Sequence, residues 1–257
     1  MRIALFTLES LAAAEAVHAF VARDPARIAF IGLSDPYRPA MGGMFGQMRR
    51  HVARSGLRFL PYLAVNFTLP GLLRRRDRLS DLARAHNIPW QRVRDVNGAE
   101  TAAALAAARP DVILSFHFDQ IFRPETLARA PLGGINVHPG LLPRHRGPIP
   151  ALYGLADGAT GVSVHALAER IDTGGVLAQQ ALALPRGTSA SAAAAALHLA
   201  ALPLVEQALA MLPAAPSPAP VLPYCPVPDR AALRRMGVPL VRLRDVPGAL
   251  AAPAGGW

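Results

Sequence analysis

The sequence predicts an α/β protein with a Rossmann-like open sheet, mostly parallel, and helices on both of its faces. Three observations predict this class. The chain has 257 residues, 52% of them hydrophobic and 17% charged, which is enough to bury a sizeable core. Short apolar runs alternate with Ala-rich segments of helical length. The chain opens with a strand–helix–strand unit, which is typical of a parallel sheet: Arg2–Leu8, Leu11–Arg23 and Arg27–Leu33.

The elements that follow are bounded by turn and helix-stop signals such as Ser34-Asp35-Pro36 and Arg109-Pro110. The predicted strands are Trp90–Val93, Asp111–Phe116, Gly133–His138, the antiparallel pair Gly161–Ala166 and Gly175–Leu184, and Leu240–Asp245. The predicted helices or helical turns are Leu79–His86, Ala99–Ala108, Pro124–Arg129, Ala151–Asp157, Ser189–Met211 and Arg230–Gly237.

Two segments do not follow this alternation of strands and helices. Residues 36–78 form an insertion, which we expect to hold a loop over Arg38–Met48, a short basic helix over Met48–Arg58 and the apolar stretch Leu57–Leu73. From Pro213 to Pro228 seven prolines occur, which indicates an extended linker or a strap wrapped on the domain. We therefore divide the chain into a domain at 1–212 and a Pro-rich strap with a short extension at 213–257, the last part, from Ala251, being a frayed tail.

The positive charge is concentrated in one place. The formal net charge is +10, and all 27 basic residues are Arg. Residues 49–94 contain 11 Arg against Asp77 and Asp81, a net +9, so about +1 remains for the rest of the chain. An Arg-only, Ala-rich composition is also what a GC-rich coding bias produces, so the charge does not by itself indicate a nucleic-acid-binding protein.

Single features of the sequence indicate the cellular compartment and argue against several enzyme classes. Cys225 is the only cysteine, so no internal disulfide forms and a reducing, cytoplasmic location is expected. No signal-peptide pattern precedes the first strand, and Leu57–Leu73 is too short and too broken by prolines to span a bilayer. A Gly-x-x-x-x-Gly-Lys-Ser/Thr loop, a Gly-x-Gly-x-x-Gly turn after the first strand and a Gly-x-Ser-x-Gly elbow are all missing from the sequence.

Asn136 and His138 are the strongest candidates for chemistry. They lie two residues apart on an extended chain, so their side chains leave the same face of the strand. Pro139 ends the strand there, at the carboxyl edge where open parallel sheets bind ligands. An amide can donate to a carbonyl oxygen that gains negative charge, and an imidazole can take a proton from the attacking group. The alternative for this pair is turn capping beside a solvated histidine.

The stretch from Gly134 to Gly147, Gly-Ile-Asn-Val-His-Pro-Gly-Leu-Leu-Pro-Arg-His-Arg-Gly, resembles the signature of the folate-dependent formyltransferases. That family contains methionyl-tRNA, glycinamide-ribonucleotide and sugar-amine formyltransferases, and its pattern is Asn-x-His-Pro-Ser-Leu-Leu-Pro-x-x-x-Gly. A second block with Asp172-Thr-Gly follows about 35 residues later, and residues 109–122 resemble the family strand and loop upstream. The resemblance covers 79–212, with a looser fit at 1–35. Gly140 departs from it, since the family usually has Ser.

The resemblance implies an enzyme that uses 10-formyltetrahydrofolate as formyl donor, with no metal. It implies Asn136, His138 and Asp172 as catalytic residues, with Asp172 raising the pKa of His138. It implies a folate pocket that includes Phe116, Phe118, Ile121, Gly140, Leu141, Leu142, Pro143 and Ile171. His117 and Asp119 are unusual for the family loop, and either ligand contact or simple solvation would explain them.

The acceptor is approached by elimination. The segment that begins at Pro213 has only 45 residues, which are too few for the tRNA-binding barrel of methionyl-tRNA formyltransferases. We therefore expect the acceptor to be a small primary amine, phosphorylated or nucleotide-linked, and we expect no obligatory nucleic acid. Arg suits phosphate because its fork is bidentate. The spacings of Arg49, Arg50, Arg54 and Arg58 place much of this set on one helical face. The candidate acceptor-binding residues are Arg49, Arg50, Arg144 and Arg146.

Several alternatives remain open at this point. Among enzymes they are a formyltetrahydrofolate hydrolase and a methionyl-tRNA formyltransferase-like protein without the barrel. The non-enzyme alternative is a protein that binds RNA or a membrane surface through the basic insertion. Residues 49–78 could equally form a peripheral membrane contact, a homodimer contact or a buried flap.

Overall fold

The structure, a computed structural model, describes residues 1–34, 42–68, 78–213, 217–218 and 220–251. Within them seven strands form one sheet in the order β3-β2-β1-β4-β5-β6-β7. The strands are β1 Ile3–Thr7, β2 Ile28–Ser34, β3 Trp90–Val93, β4 Val112–Phe116, β5 Gly134–His138, β6 Gly161–Ala166 and β7 Val176–Ala181. The helices are α1 Leu11–Arg23, α2 Gly43–Ser55, α3 Leu60–Leu63, α4 Leu79–Ala85, α5 Ala99–Ala108, α6 Pro124–Leu127, α7 Pro150–Asp157, α8 Ala190–Ala200, α9 Leu202–Met211, α10 Arg230–Met236 and α11 Asp245–Ala251.

The predicted Rossmann-like class is confirmed. The first five strands are parallel, and β6 and β7 add antiparallel to β5 and to each other. Strands β1, β2 and β4 are buried along their whole length because both faces of this part of the sheet are covered. The chain runs outward from β1 to β3 and then returns to β4 on the other side of β1. The carboxyl ends of β1 and β4 therefore flank the switch point at which open α/β sheets bind ligands.

The insertion differs from its prediction. Residues 35–41 and 69–77 lie outside the described residues, and so do parts of the expected loop and of Leu57–Leu73. Helix α2 begins at Gly43, inside the expected loop, because Gly42 takes a left-handed φ of 77° at its N-terminus. It ends at Gly56, so Arg58 lies beyond it and does not share its face. The expectation of a shared face that includes Arg58 is wrong.

The described part of the apolar stretch packs inward as a buried flap. Phe59 and Tyr62 form an apolar cluster with Leu152 and with residues of the C-terminal extension. The extension members of this cluster are Val227, Leu233, Met236, Val238, Leu240 and Val241. The insertion and the C-terminal extension therefore share one satellite core, although more than 150 residues separate them.

The expected single helix over Ser189–Met211 is two helices. Helices α8 and α9 meet at Ala201 with a bend of 45°. Pro203 explains the break, since it has no N–H to donate and its ring would clash with the carbonyl one turn earlier. In the part of the chain that the structure describes, no single helix is long and apolar enough to cross a membrane. Helices α8 and α9 reach that length and hydropathy only when they are taken together as a bent pair.

The strand expected at Leu240–Asp245 is absent from the described residues there, and α11 begins at Asp245 instead. The carbonyls of Pro239 and Leu240 accept hydrogen bonds from the first N–H groups of α8, at Ala190 and Ser191. These carbonyls are thereby committed to a helix terminus, whose free N–H groups need partners. The segment caps a helix instead of extending the sheet.

Candidate active site

Asn136 and His138 lie together, as predicted, near the carboxyl end of β5. Both line a cavity of about 310 Å³ at the carboxyl ends of the parallel strands, a volume within the range of small-molecule sites. Asp172 enters the same cavity from the loop between β6 and β7. The three residues of the predicted trio are thus brought to one wall, although Asp172 is far from the other two in the sequence.

Both ring nitrogens of His138 face hydrogen-bond acceptors. Nε2 lies 3.2 Å from the carbonyl oxygen of His145, and Nδ1 lies 3.6 Å from Oδ2 of Asp172. Because a carbonyl oxygen can only accept, we assign the proton of the neutral ring to Nε2, and Nδ1 is then able to accept a proton. Once protonated, the ring would present a donor to each acceptor. The surroundings are therefore arranged for the imidazolium.

Burial opposes that charge. The side chain of His138 is almost fully buried, and burial lowers its pKa to about 4. Asp172 acts in the opposite direction and raises the pKa, as the family resemblance implied, but the effect of burial is larger. His138 is consequently a neutral base at pH 7, next to a carboxylate that stabilises its protonated form.

Asp172 is held in an unusual conformation. Its φ is +51°, a left-handed value that Asp and Asn tolerate better than most residues. Its Oδ2 accepts the backbone N–H of Gly147 at 2.9 Å. Burial alone would raise the pKa of Asp172, but His138, His165 and the Gly147 N–H together lower it to about 2. The carboxylate is therefore ionised throughout the neutral range.

His165 is a site residue that the sequence analysis did not select. It lies opposite Asn136 in the antiparallel pairing of β5 and β6. Its Nδ1 donates to the carbonyl of Ala166 at 2.8 Å, so its Nε2 accepts from Nδ2 of Asn136 at 3.1 Å. This bond orients the amide and leaves the second hydrogen of Nδ2 available. The signal was present in the His at the end of the Gly161–Ala166 strand, but the pairing register was needed to use it.

The predicted folate-pocket residues divide into two groups. Phe118, Ile121 and Ile171 line the cavity as expected. The others are placed behind it: Phe116 is fully buried in the core, and the four residues Gly140, Leu141, Leu142 and Pro143 are not among those lining the cavity. The loop of residues 140–143 is instead bonded to β6, since Ser163 Oγ donates to the carbonyl of Gly140 and accepts from the N–H of Leu142.

The predicted acceptor-binding arginines lie outside the cavity. Arg49 and Arg50 are exposed on α2, and Arg144 is exposed in the loop after β5. Arg146 is buried, and its guanidinium donates to backbone carbonyls at Ile171, Asp172 and Leu222. Within the described residues, no arginine lines the cavity.

Other cavity-lining residues come from elements that sequence reasoning left without a function. His117 and Asp119, whose roles were open, both line the cavity. Tyr62 of the insertion, His198 of α8 and Tyr224 of the C-terminal extension join them. His117 has a φ of +46°, and its Nδ1 lies 2.6 Å from Oγ of Ser10. Burial lowers the pKa of His117 to about 4, so it too is neutral at pH 7.

Gly140 is required by a close approach, which yields a stability prediction. A Cβ at this position would lie 2.8 Å from Cβ of Pro150 and 3.0 Å from Nε2 of His138. We expect Gly140→Ser to lower the free energy of unfolding by about 1–3 kcal/mol, the usual cost of overpacking. Gly248→Ser is the matched control, because nothing lies within 4 Å of the added Cβ there. Thermal unfolding of both variants measures the difference, and an unchanged Tm for Gly140→Ser would contradict the prediction.

The fold and the cavity define an α/β protein with a ligand site at the switch point of its sheet. The formyl transferase family model matches residues 72–208, more than half of the chain. This chain belongs to the formyl transferase family.

Individual relatives extend the comparison. The methionyl-tRNA formyltransferase of Treponema pallidum is 43% identical over 108 residues, which are 41% of this chain and 34% of that protein. The match thus spans about a third of the length of the curated relative. The phosphoribosylglycinamide formyltransferase of Bacillus halodurans shares the fold at a TM-score of 0.55 and 15% identity, over 83% of this chain and 96% of that one.

A third relative is a sugar 3N-formyl transferase whose structure was determined in the presence of dTDP and 5-N-formyl-THF. It shares the fold at a TM-score of 0.54 and 12% identity, over 88% of this chain and 69% of that one. Proteins named for three different acceptors thus resemble this chain, one of them in sequence and two in fold.

Proposed function

We propose that this chain transfers a formyl group from 10-formyltetrahydrofolate to the primary amine of a small acceptor. The observation that carries the proposal is the position of His138, a neutral base whose two nitrogens face a carbonyl and a carboxylate, beside the oriented amide of Asn136. A site of this kind suits acyl transfer, in which the attacking group loses a proton while negative charge develops on the carbonyl oxygen. Family membership supports the same reaction class.

Asn136 stabilises the charge that develops on the formyl oxygen. Its amide nitrogen gives one hydrogen to His165, so the orientation of the group is fixed before the substrate arrives. The second hydrogen donates to the formyl oxygen as the amine nitrogen bonds to the formyl carbon. A donor positioned in advance does not need to reorganise during the reaction, which is what makes it effective in the transition state.

His138 moves the protons. Its Nδ1 takes a proton from the attacking amine, and Asp172 stabilises the imidazolium across 3.6 Å. His138 returns the proton to N10 of the folate as the bond between the formyl carbon and N10 breaks. The products are the N-formylated amine and tetrahydrofolate, so no proton is gained or lost by the enzyme.

The lining of the cavity supports 10-formyltetrahydrofolate as the substrate that donates the formyl group. Phe118, Ile121, Leu167 and Ile171 supply apolar surface, as flat heteroaromatic ligands require, and the residues of the trio converge on one side. No arginine among the described residues lines the cavity, so a phosphate on the acceptor would find no guanidinium partner inside it. We therefore place the amine, and not a phosphate, inside the cavity.

An acceptor panel tests the proposal. The protein is incubated with 10-formyltetrahydrofolate and, separately, an amino sugar, an amino-sugar phosphate, a nucleotide-linked amino sugar, glycinamide ribonucleotide and methionyl-tRNA. Tetrahydrofolate release that depends on an amine and equals the N-formyl product formed would support transfer. Formate release without any amine would instead show a hydrolase, and absence of both reactions would overturn an enzymatic function for this site.

A further inference from the structure

The C-terminal extension contains a strap, defined here as residues 220–228, that lies on the domain and reaches the cavity at Tyr224. Several polar bonds hold it on the domain: Tyr153 Oη donates to the carbonyl of Pro226 at 2.6 Å, and Ser55 Oγ donates to the carbonyl of Pro228 at 2.7 Å. The N–H of Cys225 donates to the carbonyl of Arg146 at 2.7 Å. The strap is therefore bonded both to the insertion helix α2 and to the loop that follows β5.

Arg146 connects the strap to the loop that carries Asp172. It is 5% exposed, and its Nη2 donates to the carbonyl of Ile171 at 2.6 Å. Its Nε donates to the carbonyl of Asp172 at 3.1 Å, while Nη1 donates to the carbonyl of Leu222 in the strap at 2.7 Å. The rigid planar fork of Arg can serve carbonyls on two segments at once, which the single ammonium of Lys cannot reproduce.

The next residue continues this connection. The N–H of Gly147 binds the Asp172 carboxylate, and a Cβ on Gly147 would lie 2.1 Å from the carbonyl oxygen of Cys225. Its φ of +137° also disfavours any residue with a side chain. Glycine at 147 therefore allows the strap to approach the Asp172 loop closely, with Arg146 and Gly147 lying between the two segments.

The strap contributes directly to the cavity through Tyr224. Tyr224 lines the same cavity as Asn136, His138 and Asp172. Partial burial raises the pKa of the Tyr224 phenol, and the negative charge of Asp172 raises it further. The wall of the cavity beside Asp172 is thus built partly from the C-terminal extension.

We propose that Arg146 is a positioning residue, which holds Asp172 at His138 and Tyr224 at the cavity wall by joining the Asp172 loop to the strap. This inference rests on the proposed function for its kinetic consequence. It also assigns Arg146 a role different from acceptor binding, because three of its nitrogens donate to protein carbonyls. The C-terminal extension then belongs to the active site through Arg146 and is not a passive linker.

Arg146→Lys tests the inference, since it keeps the charge and removes the fork. We expect kcat to fall by about 10–100-fold, the effect of a catalytic group displaced by about 1 Å, with KM for the amine nearly unchanged. Amide hydrogen exchange at Gly147 and Cys225 should accelerate together. Arg129→Lys is the matched control, because Arg129 is exposed and lies outside the cavity, and it should retain native kcat and exchange.

The outcomes separate this inference from the proposed function. A native kcat for Arg146→Lys, or a raised KM for the amine with kcat unchanged, would overturn the positioning role, and the second result would favour acceptor binding. If the variant does not fold, exchange in the unaltered protein decides: equal protection of the Gly147 and Cys225 amides supports a common opening, and unequal protection overturns it. That exchange readout holds even if no amine is formylated, a result that would overturn only the proposed function.

Discussion

Replacing His138 with alanine is expected to lower kcat for formyl transfer by about 10²–10⁴-fold, the usual contribution of a positioned general acid–base group. The variant loses the only group in the trio that can take and return a proton at neutral pH. The fold should persist, because the removed ring is at the edge of a cavity and not within the main apolar core. Steady-state kinetics of tetrahydrofolate release, with circular dichroism to verify folding, measure the effect.

His86→Ala is the control for this change, since His86 is exposed and lies outside the cavity. It should retain native kcat. Near-native turnover of a folded His138→Ala protein would remove His138 from the mechanism and would leave Asn136 as the main catalytic group.

Asp172→Asn should lower kcat by about 10²–10³-fold while preserving the fold. Asn tolerates the left-handed φ of +51° at this position, and its side-chain oxygen can still accept the N–H of Gly147. What disappears is the negative charge that stabilises the His138 imidazolium. Asp157→Asn is the matched control, because Asp157 also pairs with a buried histidine, His145, but lies outside the cavity.

The pH dependence of kcat tests the role of Asp172 further, because the expected shift has a defined direction. His138 has a pKa lowered to about 4, so its neutral, active form persists from neutral pH down to about pH 5, and kcat falls as pH approaches 4. Asp172 raises the pKa of His138, so removing its charge should lower that pKa further. The acidic limb of kcat in Asp172→Asn should therefore move to lower pH. A shift to higher pH, or a folded variant with native kcat, would contradict the role of Asp172.

The fold and the placement of Asn136 and His138 at one strand end were predictable because both depend on local patterns. The strands are continuous apolar runs, and Asn136 and His138 follow from the alternation of an extended chain that ends at Pro139. Asp172 required the family resemblance, since Asp-Thr-Gly alone is also an ordinary turn.

Features that depend on pairing between distant segments were not predictable in the same way. The register that sets His165 against Asn136 and the three carbonyls around Arg146 come from packing, which one sequence does not reveal. The helix break at Pro203 was visible in the sequence but was outweighed by the long Ala/Leu pattern around it. The strand expected near Leu240 failed because its carbonyls serve the N-terminus of α8.

The satellite core shared by the insertion and the C-terminal extension has a consequence for engineering. A chimera that received residues 42–68 of a relative alone would place foreign side chains against Val227, Leu233, Val238 and Leu240 and leave unfilled or overfilled space there. The two segments must be exchanged as one module, even though they are encoded far apart. Recombination between the two coding regions would separate partners that the folded protein keeps together.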